Sequence, residues 1–213
     1  MKVERVMRQP SKFWDRIAKG YAKKPVGDEA AYQKKLDVTR DYLRPDMDVL
    51  EFGCGTGTTA IAHAPYVKHI QAIDISPKMI EIARGKADAG NVGNVTFEVS
   101  TIEEFSAPDE SFDAVMGHSI LHLLENKESA IAKVHGLLKP GGVFVTSTVC
   151  LGGKMKFFKI IVPIGNLLGL LPLIRFFTAQ ELADSLTAGG FEIDHRWQPE
   201  KSIAVFIVAK KVG

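Results

Sequence analysis

The feature that most constrains the fold is a regular alternation of short apolar runs and helical segments through the centre of the chain. Five runs of five to seven residues read as strands, and the segments between most of them have helical character. Strands that alternate with helices predict parallel βαβ units and a sheet covered on both faces. The predicted strands are Asp48–Phe52, His69–Asp74, Val95–Val99, Phe112–Gly117 and Val143–Val149.

The two ends of the chain depart from this alternation. Two runs near Phe191–Trp197 and Ile203–Ala209, joined by a short turn, predict an antiparallel ending. Residues 1–44 read as helices that end before Pro45 and would form an N-terminal helical cap. We therefore expect one domain over residues 1–213, an α/β fold. Its seven-stranded, mostly parallel, doubly wound sheet would have an antiparallel C-terminal strand and helices on both faces.

Charge and cysteine content exclude several classes of protein. The net charge is +2, so nothing in the total indicates a nucleic-acid partner, although 12 of the 27 basic residues lie within residues 1–44. That basic segment could steer an acidic substrate or contact an anionic surface. Two distant cysteines make no disulfide framework, and no Cys/His cluster has the spacing of a metal site. The N-terminal residues lack the apolar region of a signal peptide, which makes the cytoplasm the expected compartment.

A glycine-rich loop follows the first predicted strand directly. Gly53, Gly55 and Gly57 permit a tight turn and a close approach of the backbone to a ligand. Asp74 ends the next strand, 21 residues after Gly53, where a carboxylate can accept hydrogen bonds from ribose hydroxyls. Thr58 stands where a dinucleotide-binding loop has its third glycine, and no phosphate-loop lysine follows. The loop therefore predicts a cofactor that carries adenosine but no pyrophosphate.

Four segments together resemble the class I S-adenosylmethionine (SAM)-dependent methyltransferases. They are VLEFGCGTG, AIDIS, SFDAVMGHSILHLL and LLKPGGVFVTS, and the similarity is close over residues 36–149. The C-terminal segments FTAQELADSLTAGGFEI and AVFIVAKK fit the same family. The resemblance implies SAM as cofactor, S-adenosylhomocysteine (SAH) as product and methyl transfer to a small molecule.

The resemblance also implies roles for individual residues. The loop that contains Cys54 and the three glycines would pass under the methionine part of SAM, and Glu51 would hold its amine directly or through water. Asp74 would bind the ribose. The adenine would lie against Ile75 and Met79, and its edge would be bordered by Ser100, Thr101 and Ile102.

Two histidines and one tyrosine are the further candidates. His118 would lie at the end of the fourth strand beneath the methyl group, and His122 would share a helical face with it if residues 119–124 are helical. Both are candidate general bases. Tyr21 lies in a segment, FWDRIAKGYA, that resembles the helix which small-molecule relatives fold over the cofactor. The other histidines have no comparable neighbours, and we expect them on surfaces or at helix ends; they are His63, His69, His135 and His195.

The segment of residues 151–177 is the least generic part of the chain. It is rich in Phe, Leu and Ile, flanked by lysines, and too short and too interrupted by proline and glycine for a membrane span. A lid-like insertion over the acceptor would suit a hydrophobic, lipid-like or aromatic molecule. The same segment could instead make a peripheral membrane contact or a dimer interface, so both a monomer and a homodimer stay open.

Three other functions compete with a small-molecule methyltransferase. A methyltransferase that modifies RNA or protein amino groups usually has an Asn/Asp-Pro-Pro-aromatic motif after strand four, where this chain has GHSIL. A nicotinamide-dependent reductase is disfavoured by Thr58 and by the antiparallel ending. A SAM-binding protein without transferase activity remains open, because binding and catalysis are separable.

Overall fold

The computed structural model describes residues 11–152, 171–200 and 202–212. Six α-helices and seven strands lie within these ranges. The helices are α1 (Ser11–Lys23), α2 (Glu29–Arg40), α3 (Thr58–His63), α4 (Pro77–Ala89), α5 (Lys127–Leu137) and α6 (Ala179–Ala188). The strands are β1 (Asp48–Phe52), β2 (His69–Asp74), β3 (Val95–Val99), β4 (Phe112–His118), β5 (Leu138–Val149), β6 (Phe191–Trp197) and β7 (Ala204–Lys211).

Polar side chains fix the starts of most helices. Asp28, Ser76 and Asn126 each accept a hydrogen bond from a backbone N–H in the first turn of α2, α4 and α5 respectively. Thr178 forms a capping box with Glu181 at the start of α6. Helix α3 differs from these four, because its cap is Gly57 in the left-handed conformation with no side-chain bond. The first N–H groups of that helix therefore point towards the crevice at the end of β1 without a side-chain cap.

The seven strands form one sheet in the order β3-β2-β1-β4-β5-β7-β6. The first five strands are parallel, and β7 is antiparallel to both of its neighbours, as the sequence predicts. The direction of strand order reverses between β1 and β4. In an open parallel sheet, a crevice for a ligand opens at the carboxyl ends of the strands at such a point.

Two hydrophobic cores cover the two faces of the sheet. One core packs α5 and α6 against inward residues such as Leu50, Val115 and Phe144. The other packs α2, α3 and α4 against Val49, Met116 and their neighbours. Because side chains alternate along a strand, Glu51 and His118 extend the second set towards the carboxyl edge of the sheet. The fold class predicted from the sequence is confirmed.

Several boundaries differ from the predicted ones. Strand β5 begins at Leu138 rather than Val143, because Leu138 pairs with Phe112 before a register shift around Gly141, whose φ is +73°. Helix α2 ends at Arg40, several residues before Pro45, where the sequence predicts the helices to end. Most of the predicted lid, residues 153–170, lies outside the described residues. No helix among the described residues is long and apolar enough to cross a membrane.

Candidate functional site

The loop from Gly53 to Gly57 lies in the crevice between β1 and β4. All three glycines have positive φ, namely +66°, +54° and +72°. A Cβ on Gly57 would come within 2.8 Å of Ala83 and the Phe97 ring, and one on Gly53 within 2.7 Å of Ile120. Gly55 differs, because a Cβ added there would have the Tyr21 ring, at 3.9 Å, as its nearest neighbour. Two of the glycines thus serve the packing of the loop, while Gly55 leaves its upper surface open.

Asp74 fixes this loop to the end of β2. Its Oδ2 accepts the Gly55 N–H at 2.9 Å, and its Oδ1 accepts the Ser76 N–H at 2.9 Å. Burial raises the pKa of Asp74, and the two backbone hydrogen bonds oppose that shift. Each carboxylate oxygen retains a free lone pair, so the residue can tether the loop and still accept hydrogen bonds from a ligand.

Glu51 lies beneath the loop at the end of β1 and is almost fully buried, with 2% of its surface exposed. Its Oε2 has no hydrogen-bond partner among the described residues. Burial, helped by the charge of Asp74, raises the pKa of Glu51 to about 8. A buried carboxyl group with an unpaired oxygen is a costly arrangement that a cationic ligand would relieve.

Helix α1 lies over this region. Asp15 Oδ1 accepts hydrogen bonds from Ser76 Oγ at 2.6 Å and from Lys78 N at 3.2 Å, which joins α1 to the start of α4. Six residues further along α1, Tyr21 reaches the open surface of Gly55. Burial and the nearby Asp74 raise the pKa of Tyr21, although half of the side chain is exposed. The tyrosine is therefore a neutral hydroxyl at the mouth of the crevice.

The residues expected around an adenine ring lie along the ends of β2 and β3. Met79 is buried yet belongs to neither hydrophobic core, and Ile75 is partly exposed beside Asp74. The Ser100 N–H donates to the Asp74 carbonyl at 3.1 Å, which brings the two strand ends together. Thr101 caps the following turn through Glu104 N, and Ile102 is buried in the core on the α5 side. The Ile102 side chain is therefore used in that core, and its backbone is the part available at the edge of the crevice.

Cys54 has no features of a reactive thiol. It is 8% exposed, and burial raises its pKa well above the ordinary value, with further contributions from Glu51 and Asp74. The thiolate is the nucleophilic form of cysteine. Cys54 therefore acts as a small buried side chain that shapes the loop.

The two candidate histidines do not share a helical face, so that expectation is wrong. His118 ends β4, Ser119 has a φ of +55°, and only Leu121–Leu123 forms a short 3₁₀ turn. The reversal at Ser119 separates His118 from His122. Each has a buried ring nitrogen without a partner among the described residues, His118 Nε2 and His122 Nδ1. Burial lowers the pKa of His118 to about 3 and that of His122 to about 4.

Three residues that the sequence did not single out, His63, Lys35 and Tyr32, lie on the helices α2 and α3 that cover the same face of the sheet as His118. His63, at the end of α3, is completely buried, and neither of its ring nitrogens has a partner among the described residues. His63 and Lys35 both lie close enough to His118 to lower its pKa further, after the larger effect of burial. The hydroxyl of Tyr32, on α2, is also buried, and Thr59 approaches it without a well-formed hydrogen bond. His63 was expected at a helix end or on a surface; it is at a helix end, but buried.

The two described ends of the 151–177 segment meet at the carboxyl edge of the sheet. The Gly152 N–H donates to the Phe177 carbonyl at 2.9 Å. The chain just before α6 also contacts the 3₁₀ turn, where the Arg175 N–H donates to the His122 carbonyl at 2.7 Å. The segment therefore leaves and re-enters the fold beside the end of β5, at the same edge as the crevice. Within the described ranges, no three metal-ligating side chains come together.

Comparison with known proteins identifies the family to which this chain belongs. Residues 43–199 match the family model of a methyltransferase domain. An uncharacterised methyltransferase, YcgJ of Bacillus subtilis, is 34% identical over 102 residues, which cover 48% of this chain and 40% of that protein. The crystal structure of YcgJ superposes with a TM-score of 0.71 at 18% identity and covers 85% of this chain and 99% of that one.

Two further proteins illustrate the range of this fold. A ubiquinone biosynthesis O-methyltransferase of Methylobacterium is 27% identical over 164 residues, which cover 72% of this chain and 65% of that protein. The structure of the [4+2]-cyclase SpnF superposes with a TM-score of 0.72 at 20% identity and covers 89% of this chain and 84% of that one. The chain aligns with less than two thirds of the length of both of these curated relatives, YcgJ and the O-methyltransferase.

Proposed function

The chain belongs to the methyltransferase-domain family, and on that premise we propose that it transfers the methyl group of SAM to a small hydrophobic or amphipathic acceptor. The observation that carries the proposal is the buried carboxyl group of Glu51, with one oxygen unpaired, beneath an open glycine loop. SAM has an ammonium group at one end and ribose hydroxyls in its middle, and it carries no phosphate. Those groups match Glu51, Asp74 and a loop that lacks the features of a phosphate site.

The residues of the crevice fit this cofactor one by one. Glu51 would pair with the ammonium group, directly or through water, and would lose its proton on doing so. Asp74 would accept from the ribose hydroxyls with the lone pairs that its backbone bonds leave free. The loop backbone at Gly55 would pass beneath the methionine part, with Tyr21 above it. Apolar contacts to adenine would come from Ile75 and Met79, and its edge would meet the backbone of Ser100, Thr101 and Ile102.

The chemistry asks little of the protein beyond position and the exclusion of water. SAM supplies an activated methyl group on a positively charged sulfur, so no side chain has to activate the donor. The chain must hold an acceptor atom in line with that methyl group and keep solvent away. Helix α1, which places Tyr21 over Gly55, would cover one side of the crevice.

A general base is needed only for an acceptor that arrives protonated. His118 is the candidate at the right strand end, yet its pKa of about 3 lies far below that of a phenol. A proton transfer from a phenol with a pKa of about 10 would cost on the order of 9 kcal/mol. His118 therefore serves better as a neutral hydrogen-bonding group than as the base. His122 meets the same objection, because burial lowers its pKa to about 4.

A small-molecule acceptor is favoured by two observations. The family includes curated relatives named for ubiquinone biosynthesis. The 151–177 segment, with its apolar composition, begins and ends at the crevice edge, as an acceptor lid would. A SAM-binding protein without transferase activity is the second candidate, because the same fold is found in a chain named as a cyclase.

Thermal-shift measurements with SAM, SAH and NADH test the cofactor assignment. SAM and SAH should raise the melting temperature, and NADH should leave it unchanged. Replacement of Asp74 by Ala should weaken SAM binding at least tenfold, because the ribose contacts and the Gly55 tether are lost together. Stabilisation by NADH alone would overturn the cofactor assignment. Release of SAH in a screen of small acceptors then separates a transferase from a protein that only binds SAM.

A further inference from the structure

Four polar side chains lie on α2, at the end of α3 and at the carboxyl end of β4, and we call them the inner polar cluster: Tyr32, Lys35, His63 and His118. The Tyr32 hydroxyl, both ring nitrogens of His63 and His118 Nε2 are buried without a partner among the described residues. Buried polar groups in proteins are nearly always hydrogen-bonded. Helix α2 packs against α3, and His63 and Lys35 lie close enough to His118 to affect its pKa. Unpaired atoms on these three neighbouring elements indicate a site for a ligand or for water that a ligand replaces.

The charges of the side chains in the cluster determine which kind of ligand it can bind. Both histidines are neutral at physiological pH, because burial is the main cause that lowers the pKa of each. Burial also lowers the pKa of Lys35, which makes no ion pair within the described part of the chain. The nearby Asp28 uses its Oδ1 to cap α2 by accepting the Ala31 N–H. The cluster thus offers one unpaired cation and several neutral donors.

The other acidic groups near the cluster are Glu51 and Glu29, whose charges both act on Tyr32, and Glu29 accepts a hydrogen bond from Gln33. If SAM binds as proposed above, its ammonium group pairs with Glu51, and its sulfonium adds a positive charge beside β4. The space between Lys35 and the sulfonium then favours a negative charge. This step rests on the proposed function, and the experiment below separates the two.

We propose that the inner polar cluster binds an oxyanion of the methyl acceptor, either an ionised acidic hydroxyl or a carboxylate. Lys35 supplies the compensating charge, while the Tyr32 hydroxyl and the imidazole N–H groups donate hydrogen bonds. An oxygen lone pair forms the new C–O bond as the C–S bond breaks, and the electron pair of that bond goes to sulfur. Anion and sulfonium become a neutral methylated product and a neutral thioether, so no proton has to move.

This assignment gives the histidines a role that fits their environment. A neutral imidazole donates through one nitrogen and accepts through the other, so His118 and His63 can orient an oxyanion without competing with it for charge. The inference also predicts selectivity. An acidic phenol, an enol or a carboxylic acid should be a better acceptor than an aliphatic alcohol or an amine.

The test measures the binding of three probes of similar shape to protein saturated with SAH. The probes are 4-nitrobenzoate, 4-nitrophenol at a pH where it is ionised, and neutral 4-nitroanisole, each followed by calorimetry. At least one of the two anions should bind more tightly than the anisole. Lys35→Met should weaken the binding of that anion about tenfold or more, and Tyr32→Phe about threefold.

Two matched controls separate the cluster from general effects of substitution. Lys34→Met removes the neighbouring, exposed lysine of α2, and Tyr66→Phe removes an exposed hydroxyl; neither should change anion binding. Provided that SAH binds, two results would overturn the inference: equal affinity for all three probes, or an affinity for the anion that is unchanged in Lys35→Met. Failure of SAH to bind the wild-type protein would instead overturn the proposed function, and this inference with it.

Discussion

Two regions meet at the carboxyl edge of the sheet, and they differ in how their polar groups are satisfied. In the glycine loop, Asp74 accepts two backbone N–H groups, and Lys86 Nζ donates to Thr56 and Thr58. On the α2 and α3 side, Glu51 and the inner polar cluster have buried atoms without partners among the described residues. The polar groups of the loop are hydrogen-bonded within the protein, whereas those on the α2 and α3 side are suited to hydrogen-bond or pair with ligands.

This contrast has an energetic consequence. Interactions within the loop stabilise the fold, so their removal should destabilise it. The unpaired groups carry a desolvation cost in the free protein, so their replacement by neutral or apolar groups should stabilise it. Proteins commonly retain such costly groups where function needs them. Opposite signs of the stability change in the two regions would therefore support the contrast.

The largest effect is expected for Gly57→Ala in the loop. A left-handed backbone costs a non-glycine residue about 1–2 kcal/mol, and the new methyl group would meet Ala83 and Phe97 at 2.8 Å. We expect the free energy of unfolding to fall by about 4 kcal/mol, measured by urea denaturation. Gly55→Ala is the matched control, because it has the same backbone strain in open space. It should lose about 1–2 kcal/mol, and an equal loss in both variants would show that packing against α4 is unimportant.

Glu51→Gln should act in the opposite direction. The pKa of Glu51 is about 8 in the folded protein and near the ordinary value when unfolded. The folded state therefore holds its proton more tightly, and this stabilisation is lost as pH rises from about 5 to 8. The variant lacks that loss, so its stability relative to wild type should increase by about 3 kcal/mol between pH 5 and pH 8. Parallel pH profiles of unfolding in the two proteins would contradict the assignment.

The same variant sharpens the functional half of the comparison. If the SAM ammonium group requires an ionised Glu51, binding should release a proton, and wild-type affinity should rise with pH up to about 8. In Glu51→Gln, binding should be weaker and should lack this component of the pH dependence. Calorimetry in buffers of different ionisation enthalpy measures the released proton directly. A variant that binds as tightly as wild type would remove Glu51 from the site.

His63→Leu tests the inner polar cluster in the acid range. Burial, with a contribution from Arg40, lowers the pKa of His63 to about 4. As pH falls below 6.5, the unfolded chain gains a proton that the folded protein does not, so wild-type stability decreases. Between pH 7 and pH 5 this residue should cost the wild type about 2 kcal/mol, a loss that the variant avoids. Urea denaturation at the two pH values checks the difference, and its absence would show that His63 takes up a proton equally well in the folded and unfolded chains.

The regions also differ in how far the sequence predicts them. The glycine loop and Asp74 can be predicted from the sequence, because the glycine pattern and the end of the next strand lie within about two dozen residues of each other. The inner polar cluster contains Tyr32 and His63 from separate helices. No local sequence pattern predicts which face of each helix packs against the sheet, so the cluster could not be predicted. The reversal at Ser119, which separates His118 from His122, depends on a positive φ at a non-glycine residue. Such a conformation is set by tertiary packing rather than by local propensity.

The smallest expected effect concerns Lys86, which joins α4 to the glycine loop. Its Nζ donates to the hydroxyls of Thr56 at 2.8 Å and Thr58 at 3.0 Å, and burial lowers its pKa. Lys86→Met keeps the aliphatic stem and removes both hydrogen bonds, so the free energy of unfolding should fall by about 1 kcal/mol. Lys78→Met on the same helix is the control, because its side chain makes no ion pair within the described ranges. A gain in stability from Lys86→Met would place this lysine with the unpaired groups and break the contrast between the two regions.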